Sequence, residues 1–177
     1  MVAGMVTGAL AAAVLAAGGG GPGGGVNGYW VKADATFSPP TAFLPSPAVT
    51  YDMKLVPAAA SITVSQRGDA NGMTVGLSVR GLVAGHAYGA HVHQKACGAD
   101  PAAAGGHYQH VVDPKLANAQ NEVWLDFTTD TAGAASVKVR KAWGLRAGEA
   151  ESVVIHDAPG GAGARVACFT VPFESLP

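Results

Sequence analysis

Two histidines stand two residues apart in the stretch "GAHVHQKAC", and a cysteine follows them four residues later. The stretch has the character of a β-strand, in which residues i and i+2 project from the same face. We therefore expect the imidazoles of His91 and His93 to converge on one point. Imidazole is the commonest metal ligand in proteins, so this pair indicates half of a metal site.

Two further histidines can complete such a site. His107 follows a Gly-rich stretch that can bend back toward the pair, and His156 closes the apolar stretch "SVVIH". Four nitrogen donors from strand ends and a loop suit a tetragonal copper(II) site. His86 is expected to be a surface residue, and His110 is left open between a surface residue and a ligand.

Eight segments with alternating or β-branched apolar residues predict the strands that position these histidines. They are residues 48–56, 61–66, 73–82, 86–93, 122–130, 134–143, 150–156 and 164–173. No segment shows a sustained helical period, and the chain contains 25 Gly and 11 Pro, which favours a turn-rich β protein. The predicted fold is all-β: an eight-stranded antiparallel Greek-key flattened barrel, resembling an immunoglobulin-like sandwich.

The chain of 177 residues suits one domain with an appendage. Residues 1–25 are apolar and then Gly-rich. The apolar part, residues 1–17, is too short and too rich in Ala and Gly to span a bilayer, and it resembles a secretory signal although no Lys or Arg precedes Lys32. Residues 26–47 are expected to be an N-terminal extension or linker, and residues 48–177 the barrel domain. The net charge is −1 and there is no Lys/Arg run, so nothing indicates a nucleic-acid partner.

The chain contains two cysteines, Cys97 and Cys168. Two cysteines are what one disulfide needs, and export from the cytoplasm would permit it to form. The alternative is a pair of buried free thiols.

The motifs "GAHVH", "GGHYQH", "VVIHDAP" and "GARVAC" occur in an order that resembles the copper/zinc superoxide dismutase family, over roughly residues 48–171. The resemblance implies a Greek-key barrel, copper as the cofactor and superoxide anion as the substrate. It also implies four copper ligands, among which His107 corresponds to the histidine that bridges copper and zinc: His91, His93, His107 and His156.

The same resemblance implies two further roles. Arg165 corresponds to the arginine that guides and holds the superoxide anion, and Cys97 and Cys168 correspond to the intrachain disulfide. The short spacing from His93 to Cys97 is similar to that of exported bacterial members. We therefore expect an extracytoplasmic protein, either secreted or associated with the cell envelope. Family members form dimers through different faces, so the resemblance allows a homodimer but does not predict its interface.

Two departures from the family pattern resemble its copper-only branch. Only "YQHVVDPKLANAQN" separates His107 from Glu122, and it offers His110 and Asp113 but no second histidine. A structural zinc site needs four ligands, so zinc is not expected. The link from His156 to Arg165, "DAPGGAGA", is much shorter than the charged loop that the family usually has there.

Without zinc, the second ring nitrogen of His107 needs another partner, because a ligating histidine usually donates its other N–H to a carboxylate, carbonyl or water. Glu122 and Asp157 rank first because they flank predicted strand ends, and further candidates are Asp113, Asp126 and His110.

The function that the resemblance implies is copper-dependent dismutation of superoxide to O2 and H2O2, with His107 moving a proton. The shortened loops motivate an alternative, a copper-binding or copper-handling barrel protein with little or no turnover. A barrel without any metal is the third hypothesis.

Overall fold

The computed structural model describes residues 28–44 and 46–175. The signal-like leader lies outside the described residues. Two short 3₁₀ helices, Pro101–Ala104 and Pro114–Leu116, interrupt the loops between the strands. The nine strands are β1 (Tyr29–Thr36), β2 (Ala48–Thr50), β3 (Ser61–Asp69), β4 (Gly72–Arg80), β5 (Ala87–His93), β6 (Phe127–Thr128), β7 (Ala135–Lys141), β8 (Ser152–His156) and β9 (Arg165–Thr170).

The strands form two antiparallel sheets. One has four strands in the order β1-β3-β4-β7, and the other has five in the order β2-β9-β8-β5-β6. After β4 the chain crosses to the five-stranded sheet for β5 and β6, returns to the four-stranded sheet for β7, and crosses again for β8 and β9. As a result β4 neighbours β7, and β5 neighbours β8. These non-consecutive neighbours are typical of a Greek key, and the predicted all-β antiparallel fold is confirmed.

The ninth strand, β1, lies in the segment where the sequence analysis placed no strand. It pairs with β3 along its whole length, from Tyr29 opposite Gly68 to Thr36 opposite Ser61. Its inward positions include small alanines such as Ala33, and its outward positions are exposed. An inward face built partly of alanine gives only a weak hydrophobic alternation, which explains why the pattern was missed.

Two predicted strands are less than half as long as expected. Residues 48–56 pair as a strand only over Ala48–Thr50, because the chain then turns and the Val56 N–H donates to the Asp52 carbonyl at 2.8 Å. Residues 122–130 form a strand only at Phe127–Thr128, although Trp124 makes an isolated bridge to His91.

The hydrophobic core lies between the two sheets. Strand β5 contributes Ala90 and Val92 to it, and both are fully buried. Because side chains alternate along a strand, His91 and His93 point to the opposite face of the five-stranded sheet. The histidine pair therefore lies outside the core, under the loops that cover this sheet. None of the helices in the described ranges is long and apolar enough to cross a membrane.

Candidate metal centre

The structure brings four histidines together on the outer face of the five-stranded sheet. One ring nitrogen from each of them lies within 4.8 Å of the corresponding nitrogens of the others. The His91 and His107 ring centroids are 4.4 Å apart, and those of His93 and His107 are 4.7 Å apart. Four converging imidazoles are a donor set that can hold one transition-metal ion.

Strand register and a glycine position this group. His156 ends β8 opposite Gly89 of β5, and the pairing of β8 with β9 shifts register between Ile155 and His156. A Cβ atom at Gly89 would lie 2.5 Å from the Ala158 carbonyl oxygen, so a larger residue would push the loop after His156 outward. His107 is brought back to the strand end by an isolated bridge to His93.

Three of the four imidazoles have one nitrogen engaged by the protein. Nδ1 of His93 lies 3.1 Å from the Gly105 carbonyl oxygen, Nδ1 of His156 lies 2.8 Å from that of Gly163, and Nδ1 of His107 lies 2.7 Å from Glu122 Oε2. These contacts orient the rings and leave each Nε2 directed at the cluster. Such engaged second nitrogens are typical of histidines that ligate metals.

Buried nitrogens without partners support the same assignment. Within the described residues, Nε2 of His93, Nε2 of His156 and both nitrogens of His91 are buried and have no hydrogen-bond partner. Buried polar atoms are almost always satisfied, because leaving one unpaired costs about 1–3 kcal/mol. The donor set fits a nitrogen-ligated ion such as copper, which would use these lone pairs.

Burial keeps these imidazoles neutral. It lowers the pKa of His91 from 6.5 to about 4, helped by the neighbouring His107 and His156. It lowers the pKa of His93 to about 2, again with His107 as the next cause, and it also lowers the pKa of His156. Since only the neutral ring has a free lone pair, these three side chains are ready to bind a metal at neutral pH.

Glu122 is the partner that the structure places beside His107. This side chain is 2% exposed, and its Oε2 accepts hydrogen bonds from His107 Nδ1 at 2.7 Å and from Trp124 Nε1 at 2.8 Å. Its Oε1 accepts from Gln109 Nε2 at 2.9 Å. Burial alone would raise the pKa of Glu122, but the hydrogen bonds from Trp124, Gln109 and His107 outweigh it and lower the pKa.

Sequence reasoning missed the roles of Trp124 and Gln109 and gave Asp126 little weight. Asp126 accepts from the Ala90 N–H at 3.0 Å, and its Oδ1 also lies 3.0 Å from Nε2 of His91 without the angle of a hydrogen bond. The alternation in "EVWLDF" could have indicated these roles. It places Glu122, Trp124 and Asp126 on one face of the segment and Val123 and Leu125 on the other.

The other candidate partners of His107 lie elsewhere. Asp157 accepts from the Ala164 N–H at 2.7 Å and so closes the loop after His156. Asp113 accepts from the Lys115 N–H at the start of a 3₁₀ helix. His110 is exposed and stacks on Trp143, with ring centroids 4.6 Å apart. His86 is half-buried, and its Nε2 lies 2.9 Å from the Asp157 carbonyl oxygen.

Arg165 is held next to the cluster by two carbonyl groups. Its guanidinium donates to the Pro101 carbonyl at 2.7 Å and to the Gly105 carbonyl at 2.6 Å. The second of these carbonyls also contacts His93, so the cation and this imidazole share one anchor. The positive charge of Arg165 contributes to the lowered pKa of His93 and of His156.

A disulfide joins Cys97 to Cys168, as the resemblance implied. It connects the segment after β5 to β9, which also begins with Arg165. The Cys97 N–H donates to Thr170 Oγ1 at 3.0 Å, and Tyr51 donates its hydroxyl hydrogen to the Gly98 carbonyl at 2.8 Å. The loop that carries the anchors of Arg165 is therefore fastened at one end.

Solved structures with a similar fold include superoxide dismutase-like proteins. No family model matches the chain, and no curated protein matches it by sequence. A double mutant of a SOD-like protein from Bacillus subtilis has a TM-score of 0.47 at 19% identity, over 62% of this chain and 87% of that one. A single mutant of a SOD-like protein from the same organism has a TM-score of 0.47 at 18% identity, over 64% of this chain and 90% of that one.

Cu/Zn superoxide dismutase from Brucella abortus has a TM-score of 0.49 at 19% identity, over 79% of this chain and 99% of that one. All these identities and TM-scores are low.

Proposed function

We propose that the protein is a copper-dependent superoxide dismutase of the copper/zinc superoxide dismutase family, that it binds no zinc, and that it works outside the cytoplasm. One observation carries the proposal: a ring nitrogen from each of four imidazoles lies within 4.8 Å of the others, and several of their buried nitrogens have no partner among the described residues. The disulfide supports an oxidising compartment. The homodimer stays a prediction.

The reaction is the conversion of two superoxide anions and two protons to O2 and H2O2. His91, His93, His107 and His156 would hold the copper, which when bound supplies the one-electron oxidation and reduction that the two halves of the reaction require.

His107 is the side chain placed to move a proton. It is 15% exposed, whereas the side chain of His91 is fully buried. Its Nδ1–H stays donated to the Glu122 carboxylate, so Nε2 is the one nitrogen with a free lone pair. Whenever Nε2 is not ligating, it could take up a proton from solvent and deliver it to reduced substrate. The negative charge of Glu122 stabilises the ring while it is doubly protonated.

Arg165 supplies the fixed positive charge that an anionic substrate needs. Its two bonds to backbone carbonyls hold the guanidinium in place without neutralising it. Such a charge raises the encounter rate with superoxide and orients the anion beside the four histidines.

The bond between His107 and Glu122 supports the absence of zinc. A histidine that bridges two metals needs both ring nitrogens as lone-pair donors, whereas here Nδ1 donates its hydrogen to Oε2 at 2.7 Å. Glu122 in turn already accepts hydrogen bonds from Trp124 and Gln109. We therefore expect the carboxylate to take the position at His107 that a second metal would need.

The test is metal content and superoxide turnover of the full chain after copper loading. We expect about one copper per chain, as a single donor set allows, together with negligible zinc and fast turnover. His156→Ala should lose both copper and turnover. His110→Ala removes an exposed histidine outside the group and should change neither.

Two results would redirect the assignment. Copper bound by the four histidines without turnover would support the copper-handling alternative, which the short loop from His156 to Arg165 motivates. A chain that takes up no copper would contradict the metal-site proposal itself.

A further inference from the structure

The outward face of the four-stranded sheet carries an excess of positive charge. It presents five of the chain's 11 cations and two of its 12 carboxylates, so the rest of the chain has six cations against ten carboxylates. The net charge of −1 is thus the sum of a positive charge on this face and a larger negative charge on the rest of the chain. The charged residues of this face are Lys32, Asp34, Arg67, Asp69, Arg80, Lys138 and Arg140.

Strand register gathers four of these cations into two neighbouring rows that run across β1, β3, β4 and β7. Neighbouring strands lie about 4.8 Å apart and the rows about 6.8 Å, so the four charges fall within roughly 15 Å. We call Lys32, Arg67, Lys138 and Arg140 the basic face. The two rows are Trp30-Arg67-Thr74-Arg140 and Lys32-Ser65-Gly76-Lys138.

Most of the charge of the basic face is not compensated within the molecule. Lys32 lies 3.3 Å from Asp34, and both side chains are about half exposed. In the described part of the chain, the other three cations have no carboxylate within 4.0 Å, and Arg140 contacts the Asn71 carbonyl at 3.3 Å. Like charges held this close repel one another, and a polyanion laid across them would relieve the repulsion.

We propose that the basic face binds a linear anionic polysaccharide. Between the cations, Ser65 and Thr74 offer hydroxyl groups that can bond to sugar hydroxyls, and the stem of Lys138 lies over Gly76. Trp30 is 48% exposed beside Arg67, so its ring can pack on the apolar side of a sugar.

The same face argues against the other polyanionic surfaces. Trp30 is its one exposed large apolar side chain among the described residues, which is too little for insertion into a lipid bilayer. A single-stranded nucleic acid would call for several aromatic rings interleaved with the cations. Tighter binding of a DNA duplex than of heparin would overturn the proposal. The basic face also lies on the other sheet from the four histidines, so a bound polysaccharide would leave them accessible.

The experiment measures binding of the full chain to heparin, a sulfated polysaccharide, over a series of salt concentrations and without added copper. The test variant is Lys138→Glu with Arg140→Glu. The matched control, Lys54→Glu with Lys115→Glu, makes the same change in net charge at exposed residues away from this face. Neutral dextran tests for charge, and Trp30→Ala tests for stacking.

We expect heparin to bind with an affinity that falls as salt rises, and dextran not to bind. The test variant should bind at least about tenfold more weakly and the control within about twofold of wild type, because steering depends on where the charges lie. Trp30→Ala should weaken binding as well. No binding at low salt, equal loss in test and control variants, or stronger binding to phosphatidylglycerol vesicles would overturn the proposal.

Discussion

His107 differs from the other three clustered histidines in exposure, and from His93 and His156 in partner. Its ring is 15% exposed and bonded to a carboxylate, whereas His93 and His156 contact backbone carbonyls. A buried carboxylate can stabilise a positive charge on the ring, and a carbonyl does so less strongly. At the residue scale, therefore, the partner of the second ring nitrogen distinguishes His107, which we propose to move a proton, from His93 and His156, which we propose only to ligate copper.

Glu122→Gln tests the role of the carboxylate that contacts His107. The substitution keeps the size of the side chain but removes its charge, and its amide must face a donor from Trp124 or Gln109. We expect copper affinity to fall by about 10- to 100-fold, as is typical when the outer partner of a ligating histidine is lost. A competition titration with a copper chelator measures this. Asp113→Asn is the control, and an affinity for Glu122→Gln equal to that of wild type would contradict the role of Glu122.

Arg165→Ala tests the proposed role of Arg165 in attracting and orienting the superoxide anion. We expect the second-order rate with superoxide to fall by about tenfold or more and its dependence on ionic strength to flatten. Arg165→Lys keeps the charge and should retain the salt dependence, although it cannot make both carbonyl bonds in the same geometry. An alanine variant with unchanged rate and salt dependence would show that the assigned role is wrong.

At the element scale, the site depends on the hydrogen bonds and the disulfide that hold the loop after β5 against β9. The first 3₁₀ helix and the glycine after it provide the two carbonyls that hold Arg165. The disulfide ties the segment between β5 and this helix to β9. Across a sequence separation of 71 residues, the cross-link is worth about 4 kcal/mol on the chain-entropy model.

Replacing Cys97 and Cys168 together by serine should therefore lower the free energy of unfolding by about 4 kcal/mol. Urea unfolding of the copper-free protein measures the change. Reductant should destabilise the wild type to a similar extent and leave the double variant unaffected. A double variant as stable as the oxidised wild type would mean that the loop is held by its hydrogen bonds alone.

Strand β1 offers a second test at this scale. Its removal would leave β3 as a sheet edge and uncover part of the four-stranded sheet. A chain that begins at residue 37 should therefore unfold at a lower temperature than one that begins at residue 26, because an unpaired strand loses its ladder and exposes its edge. Differential scanning calorimetry distinguishes the two, and equal transition temperatures would show that β1 adds no stability.

At the scale of the whole molecule, the buried imidazoles link stability to pH. The pKa of His91 is about 4 and that of His93 about 2 in the folded chain, against 6.5 when exposed. At pH values between the folded pKa and 6.5, each of these histidines is protonated in the unfolded chain and neutral in the folded chain. The free energy of unfolding therefore rises with pH over this range. The copper-free protein is therefore expected to lose stability as pH falls below about 6.5, by roughly 1.4 kcal/mol per pH unit for each such histidine.

Urea unfolding of the copper-free protein at pH 7, 6 and 5 measures this slope. His91→Gln and His93→Gln should each reduce it, because one buried titrating group is removed. His110→Gln should leave it unchanged, since that ring is exposed. A stability that stays flat from pH 7 to pH 5 would contradict the lowered pKa values of the clustered histidines.

The sequence by itself determined the all-β fold, most of the strands and the set of four histidines, because strand periodicity and H-x-H spacing are local properties of the chain. It ranked Glu122 among the partners of His107 but could not separate it from Asp157, since both lie near strand ends. It also left β1 unnoticed, because alanine contributes little to a hydrophobic pattern.

Only the tertiary structure decided what surrounds the histidines. The contacts of Glu122 with Gln109 and Trp124, and of Arg165 with Pro101 and Gly105, join residues from different loops and strands. Such contacts depend on how the two sheets and their covering loops pack, and no local pattern records it. Strand register likewise turned scattered lysines and arginines into one basic face, because pairing brings distant residues side by side.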